Sequence, residues 1–106
     1  MIVTKTRKVV ANYSDLPVRT GYSVKVDDHE LALFKVTNGK VFAVENRSPH
    51  PKGGVLTEGL VSGEFVFCPV YDWKISLADG KVQAPDEGQV KTYRVEVEGD
   101  NVYIII

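Results

Sequence analysis

No stretch of eleven or more residues in this chain sustains a helical hydrophobic period, and that absence narrows the folds open to it more than any other feature. Short runs rich in β-branched and aromatic residues alternate with turn residues instead, which predicts an all-β chain. Val3 to Val10 reads as a first strand. Asn12-Tyr13-Ser14-Asp15-Leu16-Pro17 follows as a turn or single helical turn, with Ser14 or Asp15 available as a cap and Pro17 preventing extension. Gly21 to Val26 resumes the sheet, and Asp27-Asp28-His29 turns it into Leu31 to Val36. Asn38-Gly39 is the type I′ hairpin signal and leads into Val41 to Glu45. At the far end, Lys91 to Glu98 and Val102 to Ile106 form a hairpin around Gly99-Asp100-Asn101, with Val95 and Val97 alternating against Glu96 and Glu98.

Between these hairpins, residues 46–88 differ in character. They are rich in Gly and Pro, hold the chain's single cysteine, and leave room only for short strands at Phe65 to Phe67 and Lys74 to Ser76. The expected architecture is a set of antiparallel sheets or a partial barrel with a small loop-rich subdomain inserted. At 106 residues the whole of 1–106 reads as one domain, with 46–88 as its subdomain.

Thirteen basic and fourteen acidic residues leave a net charge of −1, which gives no reason to expect nucleic acid or an anionic membrane as partner. No apolar run approaches the ~18 residues that mark a membrane span. Charge near Met1 sits where a secretory signal would need its apolar segment, so the expected location is the cytoplasm. One cysteine, Cys68, allows no internal disulfide.

Two segments of the insert carry the chemistry. Ser48-Pro49-His50 and Cys68-Pro69-Val70-Tyr71 are separated by seventeen residues. This is the frame of a Rieske iron–sulfur site, where Cys-x-His and Cys-x-x-His loops give two thiolates to one iron and two imidazoles to the other. Here Ser48 stands for the first Cys and Tyr71 for the second His. Pro49, Lys52-Gly53-Gly54 and Phe67-Cys68-Pro69-Val70-Tyr71-Asp72-Trp73 extend the likeness, and the chain as a whole resembles the Rieske fold. Asn46-Arg47-Ser48-Pro49-His50, Val61-Ser62-Gly63-Glu64, Trp73 to Leu77 and Ala84-Pro85-Asp86-Glu87-Gly88, with Val90 to Tyr93, resemble one branch of it: the small subunit of assimilatory NAD(P)H-dependent nitrite reductase.

That resemblance implies a small accessory subunit supporting a large catalytic chain in the six-electron reduction of nitrite to ammonium. It places FAD, NAD(P)H, a [4Fe–4S] cluster and sirohaem in the large chain. The present sequence has neither a GxGxxG segment for a dinucleotide nor the four cysteines of a four-iron cluster. Its own positions for a [2Fe–2S] cluster are Ser48, His50, Cys68 and Tyr71, of which two carry hydroxyls. A serine would have to ionise and reach further than a cysteine, and a tyrosine with an ordinary pKa near ~10 would have to become a phenolate. The expectation is therefore that this chain holds no cofactor and no metal, with Tyr71 filling part of the cluster's space and Cys68 acting as a small buried hydrophobe.

Three functional readings follow: an accessory docking subunit, an electron-transfer protein with Ser/His/Cys/Tyr ligation, and a stand-alone ligand-binding or redox-sensing domain using His50 and Cys68. For the first, the loop-tip residues Pro49, His50, Pro51, Lys52, Val70, Tyr71 and Asp72 are the candidate contacts with the large subunit. No residue is assigned a catalytic role. Trp73 is expected in the core, His29 in a solvated turn, Asp27-Asp28 and Asp86-Glu87 in solvated turns, and Lys74 beside the loops facing partner or solvent.

Overall fold

The computed structural model describes residues 7–50, 52–69 and 72–105. Among these residues nine strands alternate with turns: β1 (Arg7–Asn12), β2 (Gly21–Val26), β3 (His29–Lys35), β4 (Val41–Glu45), β5 (Leu60–Ser62), β6 (Phe65–Phe67), β7 (Lys74–Ser76), β8 (Thr92–Glu98) and β9 (Asn101–Ile105). Two short 3-10 turns, Tyr13–Asp15 and Leu56–Glu58, complete the described elements. No helix among the described residues is long and apolar enough to cross a membrane.

Six strands form one antiparallel sheet in the order β1-β9-β8-β4-β3-β2, and the other three form a small sheet in the order β5-β6-β7. The large sheet curls until its edges approach, and Lys8 Nζ on β1 meets Asp27 Oδ1 in the β2–β3 turn at 2.7 Å. β3 shows why the two sheets belong together. Its four central residues, Leu31 to Phe34, are all fully buried, although a strand with one solvated face would alternate. Leu31 and Leu33 face the interior of the curled sheet, with Val26, Ala43, Val102 and Ile104. Ala32 and Phe34 face the other way, against Leu56, Val66, Cys68 and Ile75 of the insert. Each face of β3 thus closes one half of the core.

The insert is fastened to this scaffold at close quarters. A Cβ built on Gly21 of β2 would lie 2.4 Å from Thr57 Cα, so the 3-10 turn at Leu56–Glu58 rests directly on the β2 backbone where only glycine fits. Asn46, buried just after β4, accepts the Thr57 amide through Oδ1 at 3.0 Å and donates its own amide to Glu30 O at 3.1 Å.

Several sequence expectations need correction. β1 is described over Arg7–Asn12, two residues beyond the expected Val10, while Met1 to Thr6 lie outside the described residues. β3 starts at His29 because His29 pairs with Val26, which leaves Asp27-Asp28 alone as the turn. Asn38-Gly39 does not form a type I′ turn. Gly39 alone takes a positive φ, +92°, and its amide donates to Val36 O at 2.9 Å, so Thr37-Asn38-Gly39 make a longer loop between Val36 and Lys40. The turn at Tyr13–Asp15 has no side-chain cap. Ser14 instead uses its amide and hydroxyl on the Asp100 carboxylate, at 2.9 and 2.8 Å, and ties that turn to the terminal hairpin. β8 begins at Thr92 rather than Lys91, β9 begins at Asn101 rather than Val102, and β5 was not anticipated.

Candidate loop site

The first loop is built around a buried hydroxyl. Ser48 is 4% exposed; its amide donates to Gly54 O at 2.9 Å, and its Oγ accepts the His50 amide at 3.1 Å. A serine two residues before the donor closes a tight side-chain turn, the ordinary local use of this residue. His50 continues the winding: its carbonyl accepts the Gly53 amide at 2.8 Å, and its Nδ1 accepts the Lys52 amide at 2.9 Å. The lone pair on that nitrogen is engaged by backbone.

The second loop leaves β6 at Cys68, which is fully buried in the apolar cluster under the small sheet. Its amide donates to Trp73 O at 2.9 Å, closing the loop where β7 begins, and Asp72 accommodates the reversal with φ at 52°. Trp73 is partly buried against the same cluster, as expected. Its ring also receives His50 edge-on, with centroids 4.6 Å apart and planes at 71°. That contact joins the two loops, a geometry typical of favourable aromatic pairs.

A third segment supports them. Gly88, at φ +149°, lies so close to Pro49 that an added Cβ would sit 3.2 Å from the Pro49 Cβ. Gly88 therefore braces the first loop, and Val90 beyond it joins the core cluster. An open cleft runs beside this brace, walled by Arg47, Ser48, His50 and Gln89 among others.

The fold brings Ser48, His50 and Cys68 into one loop-bearing end of the insert. Pro51, Val70 and Tyr71 lie outside the described residues. Of the other candidate contacts, Lys52 and Asp72 are exposed, and Pro49 and His50 are half-buried. His29 is exposed at the start of β3, with its ring 6.4 Å from that of Tyr93, remote in sequence from both loops. Asp27, Asp28 and Glu87 are exposed, while Asp86 is partly covered. Sequence reasoning gave no positioning role to Gly88, which braces the first loop from the third segment, or to Asn46, which follows β4 and holds the 3-10 turn at Leu56–Glu58. Only the positive φ of Gly88, invisible in sequence, marks the former.

The profile of the Rieske-like [2Fe-2S] domain matches residues 7–105, nearly the whole chain. The chain belongs to the Rieske-like [2Fe-2S] domain family. This Rieske-like domain is 30% identical over 91 residues to the ferredoxin component of the naphthalene 1,2-dioxygenase system of Pseudomonas aeruginosa, covering 85% of this chain and 86% of that one. It is 28% identical over 101 residues to the large subunit of NAD(P)H nitrite reductase of Klebsiella oxytoca, covering 92% of this chain but spanning only 10% of that protein. A crystal structure provisionally named as the small subunit of an NADPH nitrite reductase superposes with a TM-score of 0.83 at 29% identity, covering 95% of this chain and 99% of that one.

The donor set of this Rieske-like domain departs from the cluster its family name describes. Such a cluster takes two thiolates and two imidazoles. Ser48 offers a hydroxyl that accepts the His50 amide, hard where a cluster takes soft thiolate, on a C–O arm shorter than a C–S arm. Cys68 and His50 are the soft and the nitrogen donor that remain, and among the described residues no three His, Cys, Asp or Glu side chains gather as a metal site. The residues present do not fit a four-donor cluster site of this kind.

Proposed function

We propose that this Rieske-like domain is the small accessory chain of a cytoplasmic assimilatory NAD(P)H nitrite reductase, that it carries no [2Fe–2S] cluster, and that it docks on a large chain which reduces nitrite to ammonium. The observation that carries the reading is the end-to-end likeness, at 29% identity, to a structure named as such a small subunit. The related segment within a nitrite reductase large subunit supports it, since a domain that occurs fused in one protein has reason to dock in another. FAD, [4Fe–4S] and sirohaem would all belong to the large chain.

The loop end suits a docking role. Buried Ser48, the Gly88 brace and the His50–Trp73 contact support the first loop, and Lys52 on that loop and Asp72 on the second are exposed. Pro49, His50, Lys52 and Asp72, together with Pro51, Val70 and Tyr71, form the proposed contact. Co-purification of the tagged chain with the large chain is the test. The expected result is a complex that Lys52→Glu weakens, and a wild-type chain that never retains the large chain would overturn the reading.

A second reading has its own support. The ferredoxin component related at 30% identity makes an electron carrier the alternative, with His50 and Cys68 as two of its ligands. Visible absorbance of anaerobically purified protein separates the two readings, because only a cluster gives the brown colour of an iron–sulfur protein.

A further inference from the structure

The outer face of the small sheet brings apolar side chains and lysines together. Register fixes which residues share it. Leu60, Phe67 and Lys74 stand opposite one another across β5, β6 and β7, and Ser62, Phe65 and Ser76 form the next such row. The row between them, Val61, Val66 and Ile75, points the other way into the core. Beyond β7, Val82 bridges Ile75 inward, so Lys81 and Gln83 extend the outer face.

On this face Leu60 is 76% exposed, the most exposed large apolar residue of the described chain. Phe65 and Phe67 are only partly covered, and the ammonium of Lys74 lies over them at 4.3 and 6.0 Å from the ring centroids. Scattered exposed apolar residues are common, but a leucine beside two phenylalanines is a contiguous patch of the kind that marks interaction sites. The strand positions of the face carry two cations, Lys74 and Lys81, and no carboxylate. Neither lysine side chain makes an ion pair among the described residues. A surface of that composition selects a partner that brings apolar side chains and carboxylates together.

The face also adjoins the loop end. Phe67 immediately precedes Cys68, and Lys74 immediately follows Trp73. We infer that the docking surface continues from the loop tips onto the outer face of β5-β6-β7, where Leu60 and Phe67 take an apolar side chain of the large chain and Lys74 and Lys81 take its carboxylates. This rests on the reading of the protein as the small chain of a nitrite reductase.

The test is the affinity of the full chain for the isolated large chain by biolayer interferometry, at salt from about 50 to about 300 mM. Leu60→Asp is expected to weaken binding roughly tenfold or more, as loss of an interface anchor does. Lys81→Glu, alone and combined with Lys74→Glu, is expected to weaken it and to flatten its dependence on salt. Val97→Asp, at an exposed position of β8, is expected to stay within about twofold of wild type. Leu60→Ser serves as a milder second variant should any charge change perturb folding. Sheet-face variants that bind within about twofold of wild type, while Lys52→Glu weakens binding, would overturn this inference and leave the proposed function standing. A wild-type chain with no affinity for the large chain would overturn both. If Leu60→Asp altered only self-association in light scattering, the face would belong to a second copy and the inference would fail.

Discussion

Gly21→Ala is the sharpest perturbation of the joint that holds the loop-bearing insert on the main sheet. The new Cβ would lie 2.4 Å from Thr57 Cα, 2.7 Å from its carbonyl oxygen and 2.9 Å from its carbonyl carbon. Carbon atoms in contact sit about 3.5–4.0 Å apart, so the 3-10 turn must retreat by roughly 1 Å. All three neighbours are backbone, and no side chain can swing aside. Overpacking of this sort costs about 1–3 kcal/mol. The same retreat stretches the 3.0 Å bond from the Thr57 amide to buried Asn46 Oδ1, and an acceptor left without its donor adds about 1–3 kcal/mol. The sum, about 2–6 kcal/mol, is a large share of the ~5–15 kcal/mol that stabilises a typical domain. Urea unfolding followed by tryptophan fluorescence measures it as a fall in midpoint, and Trp73, the only tryptophan, reports from the insert itself. Because the two costs share the Thr57 bond, Gly21→Ala combined with Asn46→Ala should destabilise by less than the sum of the single changes, with a coupling of about 1 kcal/mol or more. A Gly21→Ala protein within ~0.5 kcal/mol of wild type would refute the reasoning, since it would mean that the insert does not rest on β2.

Other outcomes follow from the loops and turns. Ser48→Ala removes the acceptor for the His50 amide and should lower stability by about 1 kcal/mol, seen as a fall of roughly 4–8 °C in Tm by calorimetry. Gly88→Ala forces a Cβ against Pro49 at a φ of +149°; a loss of about 1–3 kcal/mol in denaturant unfolding is expected. The Asp79 carboxyl titrates below its ordinary value of 3.8, chiefly because it accepts the Lys81 amide. Its folded pKa is depressed, so its contribution is present above the unfolded value and is lost as pH falls through the lower folded one. Asp79→Asn should therefore narrow the stability difference between neutral and acidic solution in acid titrations followed by circular dichroism. Ser48→Cys with Tyr71→His completes the two-thiolate, two-imidazole donor set, and anaerobic reconstitution should then load iron into the double variant, with none expected in the wild-type chain treated alike.

The alternation of short apolar runs was enough to read most strands, because a period of two survives wherever one face is solvated. β3 was legible as a strand but not as a doubly buried one, since Leu31 to Phe34 show a continuous apolar run that periodicity cannot assign to two layers. β5 escaped notice because Leu60-Val61-Ser62, between Gly59 and Gly63, is too short for a period to register. Asn38-Gly39 misled because local turn chemistry names a two-residue loop, whereas the pairing of Val36 with Lys40 makes it three. At the site, the loop spacing and the departures at Ser48 and Tyr71 were visible in the sequence. What Ser48 does was not: its hydroxyl as the acceptor that closes the turn onto His50 is a property of the fold. The bracing of Pro49 by Gly88 joins residues far apart in the chain and has no local signature.

Under the proposed function a Rieske-like frame serves docking and carries no cluster. Iron and acid-labile sulfide measured on the chain purified anaerobically, together with its visible spectrum, decide between docking subunit and electron carrier. A colourless protein with no stoichiometric iron or sulfide is expected; a brown protein with about two irons and two sulfides per chain would contradict the proposal and make the domain an electron carrier.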